Sequence, residues 1–382
     1  MDSLELSLKS FVEPWYASLK DPGKAQGEAF GYLMERYAQT EYGKKYSAGS
    51  VSSVGEFQAK FPVSNYESLK PYFDDIQSGK RGYECLFPEP VATWVMTRGT
   101  TGRPKVIPTN ETHLSQILFA GARAIVNFAL TADTGIIKRN VLNLNFPSDV
   151  SIISTPSGKQ SYGYSSGTYA RLHPSLDAAN LVPRQEEIDS LGPGITRKDW
   201  ERRFDLVYKS ASGADVGCVM GVTPVLLQFA RFVRKKYHVL PRDVWKMDAL
   251  FCTSVAKIQT RYAPELKHFF GAAPVVEMYT ATEGVFAQQL DENPYVCPNY
   301  DIYLFEVRVG NKIKLLHELR RNEWGRLVVS SVLFPRYEIG DLVESLGKGY
   351  FRVFGRDSFQ TILEHSLYNA FTGRGLASVS SR

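Results

Sequence analysis

The apolar run Val91-Ala92-Thr93-Trp94-Val95-Met96 leads straight into Thr97-Arg98-Gly99-Thr100-Thr101-Gly102-Arg103-Pro104-Lys105, and this junction constrains the fold more than any other stretch. The run reads as a buried strand, and the segment from near Thr112 reads as a helix. A small-residue turn between a strand and a helix exposes successive backbone N–H groups, a concavity suited to phosphate oxygens. Thr97, Thr100 and Thr101 add hydroxyl donors, and Arg98 and Lys105 add positive charge. Gly99 and Gly102 stand too close together for the Gly-x4-Gly-Lys-[Ser/Thr] spacing of a P-loop. Taken alone, Gly-Thr-Thr-Gly is an ordinary surface turn, so the reading depends on what else the chain carries.

Before this junction the sequence predicts a helical preamble. Leu4, Leu6, Leu8, Phe11 and Val12 suggest a first helix ended by Pro14, and residues 29–40 a second with Phe30, Leu33, Met34 and Tyr37 on one face. Residues 54–61 and 66–76 read as two more. After it, 112–130 is helical, 141–146 and 150–153 are strand-like, and 156–167 is a Gly/Ser/Tyr stretch with no evident regular element, either covering a site or linking two elements. A helix at 199–210, a strand at 216–220, a helix opened by Thr223-Pro224, and strands at 249–253 and 275–279 give a β–helix–β rhythm. Strand-like segments at 303–309, 312–316, 325–332 and 349–354 follow. The predicted fold class is α/β: mostly parallel sheets flanked by helices, plus an antiparallel β subdomain.

At 382 residues the chain exceeds the usual single-core size. A formal charge of +5 is small for that length and gives no sign of nucleic-acid binding. Cys85, Cys218, Cys252 and Cys297 show no metal-ligand spacing, and read as reduced thiols of a cytoplasmic protein. The N-terminus has no basic region before an apolar core, and the apolar run 117–130 is too short and interrupted to span a bilayer. Neither a membrane partner nor an oligomeric state is indicated.

Three further motifs carry chemistry. In Met278-Tyr279-Thr280-Ala281-Thr282-Glu283-Gly284, Tyr279 could stack on a base, Thr282 could donate to a phosphate oxygen, and Glu283 could hold Mg²⁺. The plain alternative is a helix N-cap. In Phe334-Pro335-Arg336-Tyr337-Glu338-Ile339-Gly340-Asp341, Asp341 has the acceptor capacity for both ribose hydroxyls, although a turn aspartate looks the same. In Phe354-Gly355-Arg356-Asp357, Arg356 could reach a ribose or phosphate oxygen, or the segment could be a β-turn. Arg123, Arg171 and Arg336 are candidate partners for a carboxylate, against the commoner reading of structurally paired arginines.

In this order the motifs resemble the adenylate-forming superfamily of acyl-CoA synthetases and related ligases. Within it, residues 57–72, 99–109, 277–288, 298–307 and 336–341 are most similar to the Gretchen Hagen family of auxin-responsive acyl acid amido synthetases and its microbial relatives. The resemblance implies a ligase that uses ATP and Mg²⁺ to turn a small-molecule carboxylic acid into an acyl-adenylate and pyrophosphate. An amine such as an amino acid, or in relatives a thiol, then takes the acyl group.

It also implies roles. Thr97, Arg98, Gly99, Thr100, Thr101, Gly102 and Lys105 would hold the β- and γ-phosphates, and Tyr279 would lie on adenine. Thr280 and Thr282 would face the nucleotide, with Thr282 on the α-phosphate, Glu283 on Mg²⁺, Asp341 on ribose, and Arg356 at the ribose or hinge. Lys105, Thr282, Glu283 and Arg356 are thus the expected catalytic set. Residues 252–257 stand where relatives carry a glycine-rich adenine turn, and here contain no glycine. Residues 1–355 would form the large adenylation domain, and 356–382 a hinge with a short remnant of a mobile C-terminal domain. The alternatives are an acyl-CoA ligase-like enzyme and a nucleotide- or adenylate-binding protein that has lost acyl transfer with that domain.

Overall fold

The computed structural model describes residues 3–99, 104–172 and 180–371. The preamble is helical as expected: Ser3–Lys20, Pro22–Tyr37, Val54–Lys60 and Tyr66–Ser78 are its main helices. Pro14 does not end the first of them. The proline removes one backbone donor, but Val12, Trp15 and Ser18 around it are buried, and the Trp15 indole donates to the Pro298 carbonyl at 2.9 Å. Tertiary burial outweighs the lost bond. The second helix starts at Asp21, whose carboxylate accepts from the Lys24 amide, with Pro22 in the first turn where a missing N–H costs nothing.

A four-stranded sheet holds β1 (Val91–Met96), β2 (Val106–Asn110), β4 (Ser151–Thr155) and β5 (Gly158–Tyr164), in the order β2-β1-β5-β4. The other sheet has twelve strands. Its parallel half consists of β3 (Asn140–Asn143), β6 (Leu181–Val182), β7 (Val216–Gly221), β8 (Ala249–Thr253) and β9 (Val275–Ala281). The antiparallel half contains β10 (Gly284–Gln289), β11 (Val296–Pro298), β12 (Leu304–Val309), β13 (Lys312–Leu315), β14 (Trp324–Ser330), β15 (Tyr337–Gly347) and β16 (Tyr350–Arg356). The order β13-β12-β14-β15-β16-β11-β10-β9-β8-β7-β3-β6 makes the predicted parallel core and antiparallel segment one continuous sheet. They meet at the β9–β10 hairpin, which carries Thr282 and Glu283.

Two expectations fail here. The stretch 156–167, expected to hold no regular element, instead contains β5 and the start of the Ser165–Leu172 helix. Their glycines serve close packing rather than turning: a Cβ on Gly163 would sit 2.4 Å from the Ser148 carbonyl carbon, and one on Gly167 would meet the Phe146 carbonyl oxygen at 2.0 Å. The eleven-residue β15 is absent from the expected strands, and Asp341, for which a turn was the plain alternative, lies inside it; Gly340 and Gly347 adopt positive φ within and at the end of the strand.

The Glu111–Thr131 helix is long and apolar enough to cross a membrane by length and composition alone. In the fold it lies against β10 and the Ser3–Lys20 helix. Its buried Arg123 is tied to Asn299 at 2.8 Å and Asp301 at 2.9 Å, and Asn127 donates to the Leu290 carbonyl. Its apolar face walls a cavity. The four cysteines are buried free thiols.

Candidate nucleotide and acyl site

The loop 97–105 closes an antiparallel hairpin between β1 and β2, and does not join a strand to a helix. The Thr97 amide donates to the Lys105 carbonyl at 2.9 Å, and the Lys105 amide to the Thr97 hydroxyl at 3.0 Å. The following helix begins at Glu111 under an Asn110 cap, a β-strand of about 16 Å further on, so its N-terminus adds nothing to the loop. The five residues 106–110 pair with β1 because Val106, Ile107 and Pro108 face Met96, Val95 and Trp94. Gly99 takes a φ of +67°, a left-handed conformation that glycine adopts without strain. Thr100, Thr101 and Gly102 lie outside the described residues. The Lys105 ammonium stands 5.1 Å from the Tyr66 ring centre.

Thr282 and Glu283 form the two-residue tip between β9 and β10, rather than the helix cap that was the plain alternative. The Thr282 hydroxyl lies 3.2 Å from that of Ser165, and its carbonyl accepts from the Tyr169 hydroxyl at 3.2 Å. Glu283 is only 8% exposed and accepts from the Tyr337 hydroxyl at 3.2 Å. Burial raises its pKa, against the opposing pull of the Lys105 and Arg356 charges. It is a desolvated carboxylate without an ion-pair partner among the described residues, which is the chemistry a hard cation satisfies. Among those residues no group of three or more His, Cys, Asp or Glu could hold a metal. Mg²⁺ therefore fits Glu283 only when substrate oxygens supply the rest of its shell.

Asp341 on β15 faces Arg356 on β16, in register. One carboxylate oxygen lies 3.2 Å from the Arg356 guanidinium, and the other accepts from the Tyr279 hydroxyl at 2.6 Å. Arg356 also donates to the Ile339 carbonyl at 2.6 Å. Burial raises the Asp341 pKa, and Arg356 and Tyr279 counter that shift. The Tyr279 ring is 3% exposed, between Phe286 and Phe351 at 5.3 and 6.2 Å. Here its hydroxyl orients Asp341, while its face is not presented to a ligand as the stacking role would need. Arg356 is the last residue of β16, and the Phe359–Phe371 helix follows. In the glycine-free segment after β8, Lys257 takes up the left-handed turn at φ +64° and the Ser254 amide donates to the Met278 carbonyl.

Beside the Thr282 tip opens a cavity of about 390 Å³. The Glu111–Thr131 helix contributes Ile117, Leu118, Gly121, Ala122 and Ile125, β3 contributes Val141 and Leu142, and β7 Met220 and Gly221. Polar side chains in the lining include Arg98, Asn145, Ser165, Ser166, Thr253, Thr280 and Thr282. Of the 156–167 stretch, Tyr164, Ser165 and Ser166 form part of the cavity wall. Ser165, Ser166, Tyr169 and Ala170 line it from one side of their helix. Tyr337, quoted within a motif but given no role, is the hydroxyl on Glu283.

Arg123 and Arg336 are not available to a substrate carboxylate. Arg123 pairs with Asp301, and Arg336 makes a buried, two-point pair with Glu306 at 3.0 Å, with further bonds to the carbonyls of Gln58 and Phe61. Arg171 lies in the last turn of its helix, outside the cavity lining.

Residues 13–189 match the family model described as the GH3 family N-terminal domain. The indole-3-acetic acid-amido synthetase GH3.8 of Oryza sativa subsp. indica is 31% identical over 84% of this chain and 64% of its own length. The indole-3-acetic acid-amido synthetase GH3.2 of Arabidopsis thaliana is 30% identical over a shorter alignment, 28% of this chain and 20% of its own. The chain thus spans less than two thirds of these relatives. Among solved structures, AtGH3.15 acyl acid amido synthetase in complex with 2,4-DB superposes with a TM-score of 0.77 at 15% identity, over 96% of this chain and 74% of that one. A 2-hydroxyisobutyryl-CoA ligase in its postadenylation state gives 0.60 at 15% identity, over 90% and 71%. At that identity the likeness is one of fold.

Proposed function

We propose that this chain is a GH3-family, adenylate-forming protein that activates an apolar carboxylic acid with ATP and supports its transfer to an amine such as an amino acid. One observation carries the reading: an apolar cavity of about 390 Å³ whose lining includes the Thr282 tip, next to a buried, unpaired Glu283. The cavity takes the hydrocarbon of the acid, and the polar residues take the nucleotide.

In the first step a carboxylate oxygen attacks the α-phosphorus of ATP. A carbon-bearing oxygen–phosphorus bond forms, the α–β bridging bond breaks, and its electron pair leaves with pyrophosphate. Two anions must approach, so positive charge and hydroxyl donors around them lower the barrier. The 97–105 loop and Lys105 address the β- and γ-phosphates, Thr282 addresses the α-phosphate, and Asp341, oriented by Tyr279 and Arg356, addresses the ribose. Glu283 would hold Mg²⁺, which when bound offsets the charge of the departing pyrophosphate. In the second step an amine attacks the acyl carbon, and AMP leaves as the amide forms and a proton is released.

The test is trapping. With ATP, Mg²⁺ and a hydrophobic acid, hydroxylamine should be converted to the hydroxamate at a rate dependent on all three. No hydroxamate from any apolar acid, under conditions where ATP binds, would contradict the proposal.

A further inference from the structure

The proposed reaction needs a cation for the carboxylate of the acid, and the arginines the sequence nominated for it do not provide one. Arg98 remains. It is the one charged residue in the described lining of the cavity. Its guanidinium carbon lies 5.8 Å from the Phe146 ring centre, and Phe146 is itself a wall residue packed on Tyr164 and Trp200. Among the described residues Arg98 makes no ion pair. Arg98 lines the cavity while remaining exposed, and the partial desolvation of its guanidinium lowers its pKa. The next contribution to that shift is repulsion from Arg356. Arg356 has Asp341; Arg98 has no equivalent among these residues. The two guanidiniums are thus near enough to repel, and of the two only Arg356 is paired among the described residues.

We propose that Arg98 holds the carboxylate of the acid substrate at the mouth of the cavity and selects for a negatively charged head on an apolar body. This rests on the acid-activation reading above, and it moves Arg98 from the phosphate-binding set to the acid. A planar guanidinium can take both carboxylate oxygens. The Phe146 ring, 5.8 Å from the guanidinium carbon, adds a cation–π contact beside it. Holding the acid this way also aims an oxygen toward Thr282, where the α-phosphate is proposed to lie.

The experiment compares wild type with Arg98→Gln and Arg98→Lys. Binding of 4-phenylbutyrate and decanoate, of their primary amides, and of ATP with Mg²⁺ is measured separately by calorimetry. The expected result for Arg98→Gln is an acid affinity at least roughly tenfold weaker, with amide and ATP affinities within about twofold of wild type. Arg98→Lys should recover part of the acid affinity. If ATP binding falls and acid binding stands, the guanidinium serves the phosphates and the proposal is wrong. If acid and amide weaken together, Arg98 only shapes the cavity, and the proposal is again wrong. A wild-type protein that binds ATP but neither acid rejects the acid-activation reading, and the Arg98 assignment falls with it.

Discussion

At the scale of single residues the site is a set of carboxylates held in unfavourable surroundings. Glu283 is buried, and the Tyr337 hydroxyl and the more distant Lys105 and Arg356 charges offset only part of its desolvation, which a bound cation would relieve further. Lys105→Ala and Glu283→Ala should each lower adenylation, Glu283→Ala by roughly 10²-fold, with thermal midpoints close to wild type. Unchanged rates in both variants would remove the assignment.

Glu277, on β9 before Tyr279, makes a different case. Burial raises its pKa to about 7, and Ser254 and Gln259 offset only part of that. The unfolded chain releases this proton near 4.5, while the fold keeps it until about 7. This group therefore costs no stability below 4.5, and its penalty grows as pH rises, reaching on the order of 3 kcal/mol above 7. Urea midpoints at pH 5 and 8 check this: Glu277→Gln should lose less stability between the two than wild type. Equal losses would show that Glu277 is ionised in the fold without penalty.

At the scale of elements, regularity was legible where burial alone dictates pattern. The strand at 249–253 matches its prediction to the residue, and the helix at 66–76 differs only by running on to Ser78. Misreadings cluster where glycine has a tertiary reason. Gly163 and Gly167 admit neighbouring backbone, and Gly340 lets β15 place Asp341 against Arg356, so each imitated a turn in one dimension. The hairpin character of the 97–105 loop was hidden for a related reason. The Val106–Asn110 strand is short and contains Pro108, which a sequence reading counts against a strand. The candidate residues themselves were legible because they fall in compact motifs. Their partners Tyr337, Ser165 and Tyr169 were not, because only the fold brings them to Glu283 and Thr282.

The Glu111–Thr131 helix yields a prediction at this scale. Gly121 lines the cavity, and a Cβ there meets only Val285, at 4.0 Å. Gly121→Leu should fit the helix but fill the cavity. It should weaken binding of long apolar acids by roughly tenfold or more, with ATP binding retained, as titration of both ligands would show. Undiminished acid binding would mean that the acid lies elsewhere.

At the scale of the whole molecule, one buried ion pair ties the helical preamble to the antiparallel half of the large sheet. Arg336 is bound to Glu306 and to the carbonyls of Gln58 and Phe61, and Ser64 bridges to the backbone of Pro335 and Arg336. Because β15 begins at the next residue, this junction also sets the position of Asp341. Arg336→Met leaves Glu306 charged and buried without its partner, and should destabilise the fold by roughly 3–5 kcal/mol in denaturant titrations. A loss within 1 kcal/mol of zero would show that the preamble docks without it.

The account as a whole stands on acid activation, and ATP–pyrophosphate exchange measures that step directly. With Mg²⁺ and labelled pyrophosphate, a graded panel of apolar, aromatic and short hydroxy acids should give label in ATP only when an acid is present, most strongly for apolar acids that fill the cavity. Absence of exchange with every acid, in protein that binds ATP, would contradict the proposed adenylation.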